Sequence, residues 1–224
     1  MKTTENLFDI PLTFYVVPNS IHKRVKEIAE SVIEDVGCCP DGTDGHMKNA
    51  LSKETWHYYL GEKNIFNARN DMDFFKEWVM EKYVDYMTTV LGYEANADDW
   101  IQDAWINKSD HGGYQHQHSH ANSFVSACYY INYDSAWHSP IQFKNPVVGS
   151  EMRPVFVPRT IRETRYNAGW VRVPIQERRV YFWTSNLMHK YEENSGNNRV
   201  SLAMNFMPRR FQTDNGLYSF TTNA

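Results

Sequence analysis

The pattern of apolar and polar positions divides the chain at about Gly92 into a helical part and a strand-rich part. Over residues 21–33, apolar side chains recur at intervals of three and four, which predicts an amphipathic helix with one buried stripe. Apolar and aromatic side chains from Phe74 to Leu91 predict a second helix over residues 71–91, and Gly92 follows it as a typical C-terminal cap. Residues 7–17 are predicted to be an edge strand, since Pro11 cannot donate to a ladder of hydrogen bonds.

Beyond Gly92, short runs rich in β-branched and aromatic residues alternate with turns, and no helical run lies between them. The runs cover residues 100–107, 124–132, 170–173, 179–183 and 199–207. Strands at this spacing are typical of an antiparallel sandwich or barrel. The fold is therefore predicted to be mainly β with N-terminal helices, an α+β chain built on a double-stranded β-helix, the jelly roll of cupins. Residues 51–69 give no clear pattern, and residues 38–50 are predicted to be a polar loop.

No linker or internal repeat interrupts the chain, so residues 1–224 are predicted to form a single domain. Residues 1–92 would be a helical support region. Residues 93–207 would be the jelly-roll core, and residues 208–224 a C-terminal tail.

Composition, charge and hydropathy exclude several classes of function. The 224 residues are 42% hydrophobic and 15% aromatic, enough for a large core. The net charge is −4 and no run of Lys or Arg stands out, so the sequence shows no nucleic-acid patch. No apolar stretch is long enough to cross a membrane. The N-terminus lacks the apolar core of a signal peptide. The sequence has three cysteines, the adjacent Cys38 and Cys39 and the distant Cys128, and this spacing indicates no disulfide framework. These features predict a cytoplasmic protein.

A cluster of histidines carries the first candidate chemistry. Four of the nine histidines lie between residues 111 and 120, and His116, His118 and His120 alternate directly before the run that starts at Phe124. If that strand extends back through them, the three imidazoles point to one face. Neutral imidazole is a common ligand of iron, zinc and copper. The pattern predicts a metal site with two ligands from a His-x-His pair. The alternative is a solvated surface loop, which can have the same sequence of histidines.

A second apolar strand-like segment, which ends at His189, offers a third ligand. Ten residues later Arg199 opens another strand, and alternation places Ser201 on the same face as Arg199. A guanidinium binds a carboxylate through two parallel hydrogen bonds, and a nearby hydroxyl adds a further donor. This pair therefore predicts a receptor for a carboxylate.

At these residues the chain resembles the 2-oxoglutarate- and Fe(II)-dependent oxygenases, and more narrowly a small branch found in bacteria and phages. The motifs that carry the resemblance span roughly residues 100–207 and are Trp105-Ile-Asn107, Gly112-Gly113, His118-Ser-His120, Ser126-Ala-Cys-Tyr129-Tyr130, Trp183-Thr-Ser185-Asn-Leu-Met-His189 and Arg199-Val-Ser201. The chain departs from the family in having Ala121 for a proline, Ala127 for a glycine, Trp183-Thr for Phe-Pro, and His120 for the usual acidic ligand. Three neutral imidazoles leave the iron site with one more positive charge than a carboxylate would.

The resemblance implies a role for each matching residue. Three residues would hold Fe(II): His118, His120 and His189. Four would hold 2-oxoglutarate: Arg199, Ser201, Tyr130 and, as a weaker candidate, Asn107. With O2, the resemblance implies a dioxygenase, an oxidoreductase that couples decarboxylation of 2-oxoglutarate to oxidation of a substrate, most commonly hydroxylation.

Several alternatives stay open on the sequence. His116 replaces His118 in the pair if the strand register shifts. The chain could be a three-His iron dioxygenase of cupin type that needs no keto acid, or a non-enzymatic jelly-roll module that binds a metal. The substrate is open among a small molecule, a nucleobase and a protein or peptide side chain, and a homodimer is one of the open oligomeric states.

Overall fold

The computed structural model describes residues 3–4, 9–35, 52–60, 64–96, 98–148, 158–212, 216 and 219–222. Its helices are α1 (Asn19–Glu34), α2 (Ile65–Ala68) and α3 (Asp73–Asp85), with a 3-10 turn at Asn70–Met72 and a π turn at Tyr86–Val90. Its strands are β1 (Thr13–Val16), β2 (Ser52–Tyr58), β3 (Trp100–His118), β4 (Val125–Asn132), β5 (Gln142–Lys144), β6 (Trp170–Arg172), β7 (Arg179–Thr184), β8 (His189–Tyr191), β9 (Arg199–Met207), β10 (Arg210–Gln212) and β11 (Ser219–Thr221). Among these residues, no helix is long and apolar enough to span a membrane.

One curled antiparallel sheet organises the molecule. Its strands follow the order β1-β7-β4-β9-β3-β8-β5-β6, and β2 pairs with β3 outside this path. The long strand β3 pairs with β9 over its first half and with β8 near its end, so it connects the two parts of the sheet. Strands β10 and β11 form a separate hairpin. The prediction of a mainly β jelly roll with N-terminal helices is confirmed.

The helices cover one face of the sheet. On α3, Phe75 and Tyr83 are fully buried; Phe75 stacks on Tyr129 of β4 with ring centroids 5.0 Å apart, and Tyr83 stacks on Phe206 of β9 at 4.9 Å. The opposite face of the same strands carries a second, smaller cluster that includes Tyr130. Strand β4 is buried on both faces because alternate side chains enter the two clusters. This leaves the inner face of the roll for a functional site.

The predicted helices correspond closely to α1 and to α3 with its π turn, and Gly92 has the positive φ of +74° that suits a helix C-terminal cap. The edge strand predicted over residues 7–17 is β1, which lies at the edge of the sheet and is shorter. The ambiguous residues 51–69 contain β2 and α2. The short strands β5 and β8 were not predicted, and neither were β10 and β11, which lie in the predicted C-terminal tail. The polar loop predicted over residues 38–50, with its two cysteines, lies outside the described residues.

Candidate metal centre

Three histidines meet at one end of the roll, and we call them the histidine triad: His118, His120 and His189. Their ring centroids lie 4.3 Å (His118–His189), 5.1 Å (His118–His120) and 5.2 Å (His120–His189) apart. One ligand atom from each lies within 4.8 Å of the others. His118 ends β3 directly opposite His189, which begins β8, and His120 follows in the loop, where its backbone N–H donates to the Ser185 carbonyl at 3.0 Å.

The alternating-strand explanation of this cluster is wrong. The histidines do not extend β4 backwards, because β3 ends at His118 and His120 lies in the turn between β3 and β4. The ladder between β3 and β8 also shifts its register between Gln115 and His118. His116 is consequently not in the cluster; its exposed ring packs on Tyr114, with centroids 4.9 Å apart. The structure brings together His118, not His116, with the other two histidines.

Hydrogen bonds fix the tautomer of two rings of the triad. Nδ1 of His118 lies 2.9 Å from the His116 carbonyl oxygen, and Nδ1 of His189 lies 2.9 Å from the Leu187 carbonyl oxygen. A carbonyl only accepts, so each Nδ1 carries the proton and each Nε2 keeps a free lone pair.

Burial keeps the triad uncharged. It lowers the pKa of His118, and it lowers the pKa of His189 well below the usual histidine value, with the two neighbouring histidines adding to the effect. The pKa of His120 falls to about 4, first through burial and then through the proximity of His118. Neutral imidazoles are the form that donates a lone pair to a metal.

Arg199 lines the same cavity as the histidine triad and is only 2% exposed. Its guanidinium carbon sits 4.1 Å from the ring centroid of Tyr191 and 5.2 Å from that of Tyr130. It donates from Nε to the Ser139 carbonyl at 3.3 Å and from Nη2 to the Tyr130 hydroxyl at 3.4 Å. No carboxylate in the described ranges forms an ion pair with it, and burying an unpaired guanidinium is costly. The arrangement is suited to a negatively charged ligand.

Three neighbouring strands bring the other predicted cosubstrate residues to this cavity. Ser201 of β9 lies opposite Asn107 of β3 on one side and opposite Tyr130 of β4 on the other, and all three line the cavity. Burial raises the pKa of Tyr130 well above the usual tyrosine value, so its phenol stays protonated and can donate. The predicted shared face of Arg199 and Ser201 is therefore present in the structure.

Two partners hold Oδ1 of Asn107, and no group in the described part of the chain forms a hydrogen bond with its amide nitrogen. Its Oδ1 accepts from Nε1 of Trp105 at 2.9 Å and lies 2.6 Å from Nδ1 of His57. The place of His57 beside Asn107 was not predicted, because His57 falls in residues 51–69, where the sequence pattern is ambiguous. The run Thr55-Trp-His-Tyr-Tyr59 could have indicated a strand there, since aromatic residues favour strands.

Comparisons with known proteins identify a matching family model. Residues 103–205 match the model of a family described as "Putative 2OG-Fe(II) oxygenase". No curated protein sequence matches significantly.

Solved structures show the same fold at low sequence identity. A Pseudomonas putida prolyl-4-hydroxylase is similar with a TM-score of 0.55 and 11% identity, covering 89% of this chain and 94% of that one. A Trichoplax adhaerens prolyl hydroxylase in complex with a hypoxia inducible factor peptide fragment has a TM-score of 0.59 and 10% identity, with 88% and 83% coverage. Streptomyces hygroscopicus HygX with nickel, 2-oxoglutarate and hygromycin B bound has a TM-score of 0.57 and 11% identity, with 92% and 85% coverage.

Proposed function

We propose, from the premise that residues 103–205 match the 2-oxoglutarate- and Fe(II)-dependent oxygenases, that this chain couples decarboxylation of 2-oxoglutarate to hydroxylation of a substrate. Enzymes of that family are oxidoreductases that use Fe(II), 2-oxoglutarate and O2. The matched region contains the histidine triad, Arg199 and all the predicted cosubstrate residues.

The observation that carries the proposal is the buried guanidinium of Arg199 without a carboxylate partner in the described part of the chain. It lies in the cavity that also contains the histidine triad. A dicarboxylate with a keto group has an end for each: a carboxylate for the guanidinium and a chelating end for a metal. Arg199, the Ser201 hydroxyl and the Tyr130 hydroxyl would bind the distal carboxylate, and the Asn107 amide nitrogen would donate a further hydrogen bond.

The donor set of the triad fits Fe(II). Imidazole is a suitable ligand for iron. The rings of His118 and His189 are already in the tautomer that leaves Nε2 free to bind it. When bound, Fe(II) with 2-oxoglutarate and O2 supplies the oxidising chemistry. The chain's own contribution is to hold the cosubstrate and to exclude water. Trp183 and Phe143, whose rings lie 5.2 and 5.9 Å from that of His189, form an apolar wall beside the triad.

One experiment separates this function from the alternatives. The anaerobic Fe(II)-loaded chain is titrated with 2-oxoglutarate while the metal-to-ligand charge-transfer absorption is followed. O2 is then admitted and succinate is measured, with peptide and small-molecule pools as substrates. We expect absorption that saturates with 2-oxoglutarate and succinate that depends on it. A chain that binds Fe(II) but gives neither signal would contradict the proposal.

A second candidate is a three-His iron dioxygenase that uses O2 without a keto acid. The observation that favours it is His120 in the position where the family has an acidic ligand. O2 uptake by the Fe(II) chain that is insensitive to 2-oxoglutarate would select this candidate. Metal binding without O2 uptake would select the non-enzymatic module.

The fold leaves the substrate open, since one structural neighbour holds a peptide fragment and another hygromycin B.

Two further expectations belong to the proposal. Strands β1 and β2, from the first 92 residues, pair with β7 and β3, which supports a single domain over the whole chain. The one cysteine in the described ranges, Cys128, is free and buried, which is compatible with the predicted cytoplasmic location.

A further inference from the structure

The ring of His120 is held differently from the other two rings of the triad. His118 and His189 each donate Nδ1–H to a backbone carbonyl two residues earlier. Nδ1 of His120 instead faces a side chain, the Nδ2 atom of Asn205 on β9, at 3.4 Å. The orientation of this ring therefore depends on a residue 85 positions away in the sequence.

Asn205 is itself fixed by a network of polar side chains. It is 2% exposed, and its Oδ1 accepts from the Ser126 hydroxyl at 2.8 Å. The Ser126 hydroxyl also lies 2.8 Å from that of Ser185, and either can donate. On its other side, Nδ2 of Asn205 lies 3.4 Å from a carboxylate oxygen of Asp103. The amide thus presents its donor to the ring and its acceptor to Ser126.

This orientation of the amide suits a His120 that carries its proton on Nε2. A histidine that binds a metal through Nε2 must carry the proton on Nδ1 and needs an acceptor there. Rotation of the Asn205 amide by half a turn brings Oδ1 to the ring, because the two ends of an amide have nearly the same shape. The rotation gives up the 3.4 Å contact between Nδ2 and Asp103. Nδ2 then faces the Ser126 hydroxyl, which can accept as well as donate.

We propose that Asn205 is the positioning residue for His120, and that metal binding is coupled to rotation of the Asn205 amide with Ser126 as its alternate partner. The inference rests on the ligand set in the proposed function. Asn205 does not touch the metal; it supplies the acceptor that the backbone supplies to His118 and His189.

The test is anaerobic titration of the metal-free chain with Co(II), whose visible absorption reports binding without any turnover. Asn205→Leu removes the acceptor at similar size, and we expect it to weaken Co(II) binding by about 10- to 100-fold. Asn205→Asp offers an acceptor at both positions and should bind at least as tightly as the wild-type chain. Asn122→Ala is the matched control, because Asn122 donates to Asp103 at 2.9 Å from the same turn as His120 but does not contact the ring.

The Nδ1 proton gives a second readout that loss of packing alone would not reproduce. In the Co(II)-loaded wild-type chain, proton NMR should show three imidazole N–H signals that the bound Co(II) shifts out of the usual range, and Asn205→Leu should lose one of them. Wild-type affinity in a folded Asn205→Leu chain would overturn the inference. If that variant does not fold, Asn205→Asp decides, and a tenfold loss of affinity in it would overturn the inference.

The outcomes for His120→Ala distinguish this inference from the proposed function. Unchanged Co(II) affinity in His120→Ala would remove His120 from the ligand set, so the proposed site and the role of Asn205 would both fail. A large loss in His120→Ala together with no loss in Asn205→Leu would reject only the role of Asn205. Absence of metal binding by the wild-type chain would overturn both.

Discussion

Replacing Arg199 should decide whether the cavity is built for a keto acid. In the structure the guanidinium has two long hydrogen bonds, of 3.3 and 3.4 Å, and no ion pair with any described carboxylate, so its remaining donors are available to a ligand. A hydrogen bond to a charged group contributes about 1.5–3 kcal/mol. Loss of this contact should therefore weaken 2-oxoglutarate binding by about 10- to 150-fold in Arg199→Ala.

Arg199→Lys keeps the positive charge but loses the two-pronged geometry, so its loss should be smaller than that of Arg199→Ala. The affinity for Fe(II) should stay nearly unchanged in both variants, because the arginine is not in the histidine triad. Arg210→Ala is a matched control, since Arg210 is exposed on the separate β10–β11 hairpin. The assay is the charge-transfer titration of the anaerobic Fe(II)-loaded chain.

Stability must be measured in parallel, because the arginine also packs on the Tyr191 ring at 4.1 Å. A thermal-unfolding scan and circular dichroism separate a folded variant with weak binding from a misfolded one. Wild-type affinity for 2-oxoglutarate in a folded Arg199→Ala chain would refute the reasoning from the unpaired buried cation. It would mean that a group other than Arg199 anchors the keto acid.

Four further outcomes follow from the geometry. Replacing any member of the histidine triad by alanine should strongly reduce Fe(II) affinity in an anaerobic titration, whereas His116→Ala should bind like the wild-type chain. Tyr130→Phe should weaken 2-oxoglutarate binding by no more than about 0.5–1.5 kcal/mol, the net contribution of a neutral hydrogen bond, and a loss equal to that of the arginine variant would contradict this ranking. Phe75→Ala should lower the free energy of unfolding by about 3–5 kcal/mol, measured by urea titration, and leave the Fe(II) affinity of the folded chain intact, because the ring belongs to the helix-facing core. Burial lowers the pKa of His22, although Glu177, 3.1 Å away, opposes the shift. The unfolded chain therefore binds more protons at this residue, and the stability of the folded chain should fall as the pH drops below about 6.5. If the urea midpoint of His22→Gln depends on pH between 7.5 and 5.5 as that of the wild-type chain does, this contribution is contradicted.

The features that the sequence predicted well are those set by local periodicity. The apolar stripe of α1 and the long apolar runs of β4, β7 and β9 have enough residues to show their period. Strand β8 has three residues and no period to detect.

The histidine triad shows the limit of such reasoning. Alternation predicted the cluster, but it treats His116 and His118 alike. The difference between them arises from the register shift of β3 against β8, which is a contact between distant segments. The roles of His57 and Asn205 are equally invisible in the sequence, because each is defined by a partner 50 or 85 positions away.

The pairing of β3 with β9 also has a consequence for how the site comes into existence. Trp100 pairs with Met207 and Ser109 with Arg199, so the two strands meet only after a very long loop has closed. Chains dominated by such non-local contacts fold in roughly milliseconds to seconds, because the entropy of loop closure is lost before the contacts form. During synthesis on a ribosome, the segment that ends at His118 would therefore bind a metal ion only after β9 has been made and has paired with β3. In refolding experiments with Co(II), the visible bands should appear with the slow global phase of tryptophan fluorescence, and bands that precede this phase would show that the histidines assemble without β9.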